Sequence, residues 1–144
     1  TPQAARYTRD TLIAENPVVV DNSTDLMWQG CTIGLSGDMC SIGASTELIW
    51  LTALSSCEDL TWASHTDWRL PNQKELQSII DSHRANPSID ESVFPATPSD
   101  VFWSSSSGIG SGTHAARIVA FEDGRSNSIN KNWTGYARCV RSGP

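Results

Sequence analysis

Long apolar runs, lysine and paired metal-binding cysteines are what this 144-residue sequence has least of. No stretch approaches the roughly 18 consecutive apolar residues of a membrane-spanning helix, so membrane insertion is not expected. Lysine occurs only at Lys74 and Lys131, and from Asp10 to Asp67 nine acidic residues stand without a lysine or arginine. With a formal net charge of -6, this argues against general nucleic-acid binding. The basic residues gather late: Arg117, Arg125, Lys131, Arg138 and Arg141 follow Val101, against only Glu122 and Asp123. That imbalance suits a local anion-attracting surface.

Several kinds of chemistry lack their residues. There is no C-x-x-C pair, and His65, His83 and His114 are far apart, so a zinc site is not expected. There is no G-x-S-x-G elbow for a serine nucleophile. Gly108 to Gly112 (GIGSG) lacks the third spaced glycine, the lysine and the helix of a phosphate loop, and reads as a linker. Asp21-x-Ser23-x-Asp25 begins like an EF-hand, but Leu26 stands where glycine is needed and Thr32 where the bidentate glutamate is needed. A calcium site of another kind, from those oxygens or from Asp81, Asp90 and Glu91, stays open; no other cofactor is expected. No internal repeat of about 20 to 50 residues is present.

What is present is one domain's length, residues 1–144, enough to bury a core. Cys31, Cys40, Cys57 and Cys139 are even in number, in a chain poor in lysine and rich in serine, threonine and asparagine, which points to an oxidising compartment. Three pairings are open. The favoured one is a local loop, Cys31–Cys40, with a long-range staple, Cys57–Cys139. Closing that loop of about 80 residues contributes roughly 4 kcal/mol in the chain-entropy picture.

Periodicity predicts a strand over Arg6–Thr11 and a hairpin of Pro17–Val20 and Leu26–Gln29 about the turn 21–25. It predicts a helix over Thr46–Leu60, capped by Thr46, with Leu48, Leu51, Leu54 and Cys57 as its buried stripe. Trp68-Arg69-Leu70 is held extended by Pro71. Asn72 and Glu75 have capping-box spacing for a second helix with Leu76, Ile79 and Ile80 inward, and Arg69 is placed to meet Glu75 or Asp81. Asp81–Ser99 is an irregular connection. Val101–Trp103 reads as a strand and Ser104–Gly112 as a flexible loop. Over 114–121, Ala116, Ile118 and Ala120 face one way and Arg117, Val119 and Phe121 the other. Asp123-Gly124 marks a turn into strands Arg125–Ile129 and Tyr136–Arg141 of one antiparallel sheet. Helices followed by strands suggest α+β. Trp28, Trp50, Trp68 and Trp103 are expected in the core. Trp133, among Asn130, Lys131 and Asn132, is expected outside.

In order, DNSTDLMWQ (21–29), the helix reaching Cys57, DWRLPNQKELQSIID (67–81), SIDESVFP (88–95), FWSSS (102–106), ARIVAFEDG (116–124) and YARCVR (136–141) form a pattern over most of the chain. It resembles the C-terminal domain family of the Legionella collagen-like protein (Lcl). One departure is Asp25, where that family commonly has glycine; aspartate tolerates left-handed geometry better than most residues. The resemblance implies an α+β, C-type-lectin-like fold, two helices packed on a small twisted antiparallel sheet and stapled by disulfides. It also implies a Cys57–Cys139 bond, N- and C-terminal strands side by side, and a secreted or surface-displayed module that binds ligands, including glycans and glycosaminoglycans in the Lcl adhesin, which assembles as a trimer.

The functional expectation is therefore an extracellular, non-catalytic binding or adhesion module at an adhesin or pilus tip. Its partner would be a cell-surface glycan or protein receptor, and a homo-trimer is compatible with it. The expected contacts are Ser105, Ser106, His114, Arg117, Arg125, Asn127, Asn130, Lys131, Asn132 and Trp133. Alternatives are a receptor-binding variable protein of a diversity-generating retroelement, in which the Asn- and Ser-rich segment would vary, or a structural oligomerisation cap. Formylglycine-generating enzymes share a W-R-L-P-like stretch, but their chemistry needs paired reactive cysteines near the C-terminus, where this chain has Cys139 alone.

Overall fold

The structure, a computed structural model, describes residues 6–107 and 114–142. In chain order its elements are β1 (Tyr7–Asp10), β2 (Val18–Asp21), β3 (Leu26–Gln29), β4 (Leu35–Ser36), β5 (Ile42–Gly43), α1 (Trp50–Glu58), α2 (Gln73–Gln77), β6 (Val101–Ser107), β7 (Ala115–Ala120), β8 (Arg125–Asn130) and β9 (Val140–Ser142). The strands form three antiparallel sheets, β1-β2-β3-β9, β4-β5 and β6-β7-β8. Among the described residues no helix is long and apolar enough to cross a membrane.

The expected α+β, C-type-lectin-like arrangement of two helices on one small sheet is not what is found. Among the described residues strand makes up 34% against 12% helix, and the strands divide among three sheets. The helices are short for identifiable reasons. α1 starts after Ile49, not at Thr46, because the backbone of Leu48 is committed elsewhere. Its N–H donates to Gly135 O at 2.8 Å, and its carbonyl accepts Gly135 N–H at 2.9 Å and Trp103 Nε1–H at 2.7 Å. Glycine at 135 eases that approach, since a Cβ there would crowd Trp103 Nε1 at 3.1 Å. α2 stops at Gln77, and Ile79 packs into the core from the following turn.

Two other expectations change. Ser104–Ser107 continue β6 past a register shift, with Ser104 Oγ donating to Arg117 O at 2.8 Å. Residues 108–112 lie outside the described residues. Of the segment Tyr136–Arg141, only Val140 and Arg141 are in a strand, β9, and it joins β3 rather than β8; Tyr136 meets β6 through an isolated parallel bridge to Phe102.

The β2–β3 hairpin forms as read. Asp25 takes φ 60°, so aspartate fills the left-handed corner, and its N–H donates to Asp21 O at 2.8 Å. Alternation along β7 also holds. Ala116 and Ile118 pack with Trp103, Ala53 and Cys57 on one side of the three-stranded sheet. Val119 and Phe121 pack with Phe102, Leu76 and Ile79 on the other. The sheet thus lies between the cores of α1 and α2. Full burial of such side chains contributes about 1.5–3 kcal/mol each. Cys31 bonds Cys40, closing the β4–β5 region, and Cys57 bonds Cys139, as favoured from sequence.

Candidate functional site

The ten expected contact residues do not form one surface. Ser106 and Arg117 belong to a polar seam that docks α2 on the sheet. Gln73 N–H donates to Ser106 Oγ at 3.0 Å, and Arg117 donates to Gln73 Oε1 and to Ser128 Oγ, each at 3.1 Å. Ser105 N–H donates to Pro71 O at 2.8 Å. These groups hold the molecule together. Arg125 and Asn127 lie elsewhere, rimming a shallow hollow of about 250 Å³ over Val101, Ile118, Ala120 and Ile129.

The remaining residues converge. His114, Asn130, Lys131 and Asn132 line a cavity of about 270 Å³ together with Ile49, Trp50 and Leu51. Backbone pairing fixes it: besides the Leu48–Gly135 bridge, Trp50 N–H donates to Lys131 O at 3.1 Å and Lys131 N–H to His114 O at 2.9 Å. Trp50 Nε1–H reaches Ser104 O at 2.9 Å, so the indole is anchored from beneath. The Lys131 ammonium lies 4.1 Å from the Trp50 ring centroid, a cation–π contact. Trp133, 61% exposed, follows Asn132 on the same loop but is not among the residues that line the cavity.

Sequence reasoning missed Ile49, Trp50 and Leu51 as site residues. Leu51 was placed in the buried stripe but is 66% exposed, whereas Ala53 and Cys57 are buried. The signal lay in the spacing. Trp50, Ala53, Leu54 and Cys57 follow the i, i+3, i+4, i+7 pattern of a single helix face, and Leu51 falls off it. Trp50, expected in the core, is half-buried and forms a pocket wall.

Charge bookkeeping separates the structural cations from the available one. Arg6 pairs with Asp21, Arg69 with Glu75, Arg84 with Asp81 and Asp90, Arg125 with Asp123, and Arg141 with Asp67. Arg9 donates to the Gly30 and Val93 carbonyls at 3.0 Å. Arg138, 1% exposed, donates to Gln29 O at 2.8 Å and Thr97 Oγ1 at 3.0 Å and lies over the Phe94 ring. Burial, with the nearby charge of Arg9, pushes Arg138 down to about 9, which leaves it cationic at neutral pH. Arg138 is therefore a core residue, not part of a basic surface. Among the described lysines and arginines only Lys74 and Lys131 form neither an ion pair nor a hydrogen bond through the side chain, and Lys131 lines the cavity at the start of α1.

The oxygens considered for calcium are otherwise engaged. Asp21 holds the Arg6 fork and the Ser23 N–H, while Asp81 and Asp90 converge on Arg84. Among the described residues no three His, Cys, Asp or Glu side chains group as a metal site.

No curated protein sequence matches the chain. The Lcl C-terminal domain family matches it over residues 17–141, from just before β2 into β9. The match spans the cavity, both disulfides and the Trp68–Glu75 corner, and on that extent the chain belongs to the Lcl C-terminal domain family.

Proposed function

We propose that this domain is an extracellular, non-catalytic binding module that recognises a cell-surface glycan or protein receptor through the cavity between the start of α1 and the 130–133 loop. The observation that carries this reading is Lys131. Alone among the lysines and arginines lining a described cavity with an apolar wall, it has no anionic partner among the described residues; exposed Leu51 shares that cavity, and exposed Trp133 follows on the same loop. A concave, partly apolar site with a few converging polar groups is the usual form of a ligand pocket. Exposed tryptophan is a frequent anchor in recognition surfaces.

Family membership and two disulfides are consistent with a surface or extracellular location. The non-catalytic part is supported by Cys139, which is bonded to Cys57 and so is not a reactive thiol. The test is a glycan and receptor-ectodomain array probed with the oxidised domain, its Lys131→Met variant and its Trp133→Ala variant. Binding that drops at least tenfold in the variants supports the assignment. Ligands that bind parent and both variants alike would place recognition elsewhere.

A further inference from the structure

We infer that the cavity selects an amphiphilic monoanion, a carboxylate carried directly on a compact aliphatic group, rather than a polyhydroxyl ring. This deepens the binding role proposed above and rests on it. Three observations converge. First, the aromatic face that a sugar ring would stack on inside the cavity is already covered, because the Lys131 ammonium sits 4.1 Å from the Trp50 centroid. The apolar wall left open is aliphatic, Ile49 and Leu51, facing the polar side chains of His114, Asn130 and Asn132. Second, among the described residues Lys131 has no carboxylate partner and no acidic side chain lines the cavity, so one positive charge is left uncompensated there. Third, α1 begins at this wall with neither a side-chain cap on its N-terminus nor an acidic residue in its first turn. Apart from the Trp50 N–H, which donates to Lys131 O, the N–H groups of its first turn add to the attraction for an anion that Lys131 already supplies. Asn130 and Asn132 offer amide donors to the second carboxylate oxygen.

An anion entering here exchanges the cation–π contact for a charge-assisted hydrogen bond to the ammonium, which is the stronger of the two. The aliphatic part then covers Ile49 and Leu51. Two sources carry this chemistry, a small free acid and a polypeptide C-terminus ending in an aliphatic residue.

The experiment is an NMR and calorimetric titration of the oxidised domain. The probes are N-acetyl-leucine, its methylamide, a hexapeptide ending in leucine with a free or amidated C-terminus, glucuronate, and a sulfated disaccharide. The acids are expected to shift the backbone resonances of Leu51, His114 and Asn132. The amides should bind at least tenfold more weakly. Lys131→Met should lower acid affinity at least tenfold and Leu51→Ser several-fold, each with an unchanged melting temperature. Should Lys131→Met melt early, Lys131→Gln replaces it, and loss of affinity in a folded variant remains the criterion. Tighter binding by the free-acid peptide than by N-acetyl-leucine identifies a C-terminus as the source; equal binding identifies a small acid; both support the shared chemistry. Equal affinity for acid and amide, or tighter binding of glucuronate or the sulfated disaccharide at the same resonances, overturns the inference while leaving the binding role intact. If no probe and no array ligand binds in a Lys131-dependent way, the binding role itself falls.

Discussion

The starts of the two helices are built on opposite plans. α2 is completed by its own sequence. Asn72 Oδ1 accepts the Glu75 N–H at 2.8 Å, the Glu75 carboxylate accepts the Asn72 N–H at 2.9 Å, and Arg69 grips the same carboxylate at 2.7 and 2.8 Å. Even the Gln73 N–H finds Ser106 Oγ. α1 starts from Ile49 with no side-chain cap, and its neighbouring cation, Lys131, rests on an indole instead of a carboxylate. Both helices are tied to two adjacent residues of the C-terminal segment. Cys139 is bonded to Cys57 in the last turn of α1, and Val140 exchanges backbone hydrogen bonds of 2.9 and 2.8 Å with Arg69 ahead of α2. Equal anchoring with unequal completion separates a corner that maintains the fold from an end left open to a ligand.

The largest effect should come from removing the shared anchor. A Cys57→Ser/Cys139→Ser double variant loses a bond that closes a separation of 82 residues, worth about 4–5 kcal/mol in the chain-entropy picture. Urea unfolding should show that loss, and binding should fail together with it. Retained binding at full affinity in the double variant would mean that the cavity does not depend on the α1–β9 staple.

Glu75→Ala should cost about 1–2 kcal/mol, the range for a lost capping interaction, while leaving Lys131-dependent binding unchanged. The same residue gives the corner a pH signature. The two Arg69 hydrogen bonds, helped by the Asn72 N–H and opposed by burial, hold the Glu75 carboxyl below its usual value. For Asp21, burial pushes upward, but the Arg6 hydrogen bonds and the Ser23 N–H outweigh it and the net direction is down. A depressed carboxylate contributes stability that is complete above its unfolded value, near about 4, and is lost as pH falls through the lower folded value. Glu75→Gln should therefore flatten part of the acid-side loss of stability measured between neutral pH and about pH 2. An identical acid profile in the variant would show that the corner contributes no such linkage.

The corner was readable from sequence because its causes are local: a residue before proline, and a cap and its acid three positions apart. The β2–β3 hairpin and the alternation of Ala116, Ile118, Val119 and Phe121 were readable for the same reason. The overall architecture was not. Leu48 looks helical until Gly135 and Trp103 claim its backbone, and those partners lie in the last third of the chain. Ser104–Ser107 looks like loop composition, yet a strand forms because Ser104 Oγ and the Ser105 N–H find backbone carbonyls. The site was half visible. Polar composition pointed to His114 and 130–133, but composition cannot distinguish an arginine joined to a partner, such as Arg117 or Arg125, from a lysine without one. Nor does it place Leu51 at a pocket rim.

Giving α1 the cap that α2 already has is a more direct probe of the two plans. Ile49 is extended, with φ -73° and ψ 161°, a geometry that aspartate adopts freely at an N-cap. Ile49→Asp should raise stability by about 0.5–1 kcal/mol while weakening anion binding at least tenfold, since the new carboxylate meets both the orphan N–H groups and Lys131. A stabilised domain that binds carboxylates as before would mean that the open helix start plays no part in recognition.

The smallest effect is expected at Arg125, and its smallness is informative. Its side chain is 85% exposed and its ion pair with Asp123 spans 3.1 Å across solvent. An exposed pair of this kind contributes less than about 1 kcal/mol. Arg125 and Asn127 line the hollow on β8, and neither lines the cavity at the start of α1. Arg125→Ala should shift the melting temperature by no more than a degree or two and leave every Lys131-dependent affinity within twofold. A tenfold loss of binding would instead join the β8 hollow to the α1 cavity as one extended site. The division drawn here between cations that hold the fold and the one that is open to a ligand would then have to include an arginine that already has a partner.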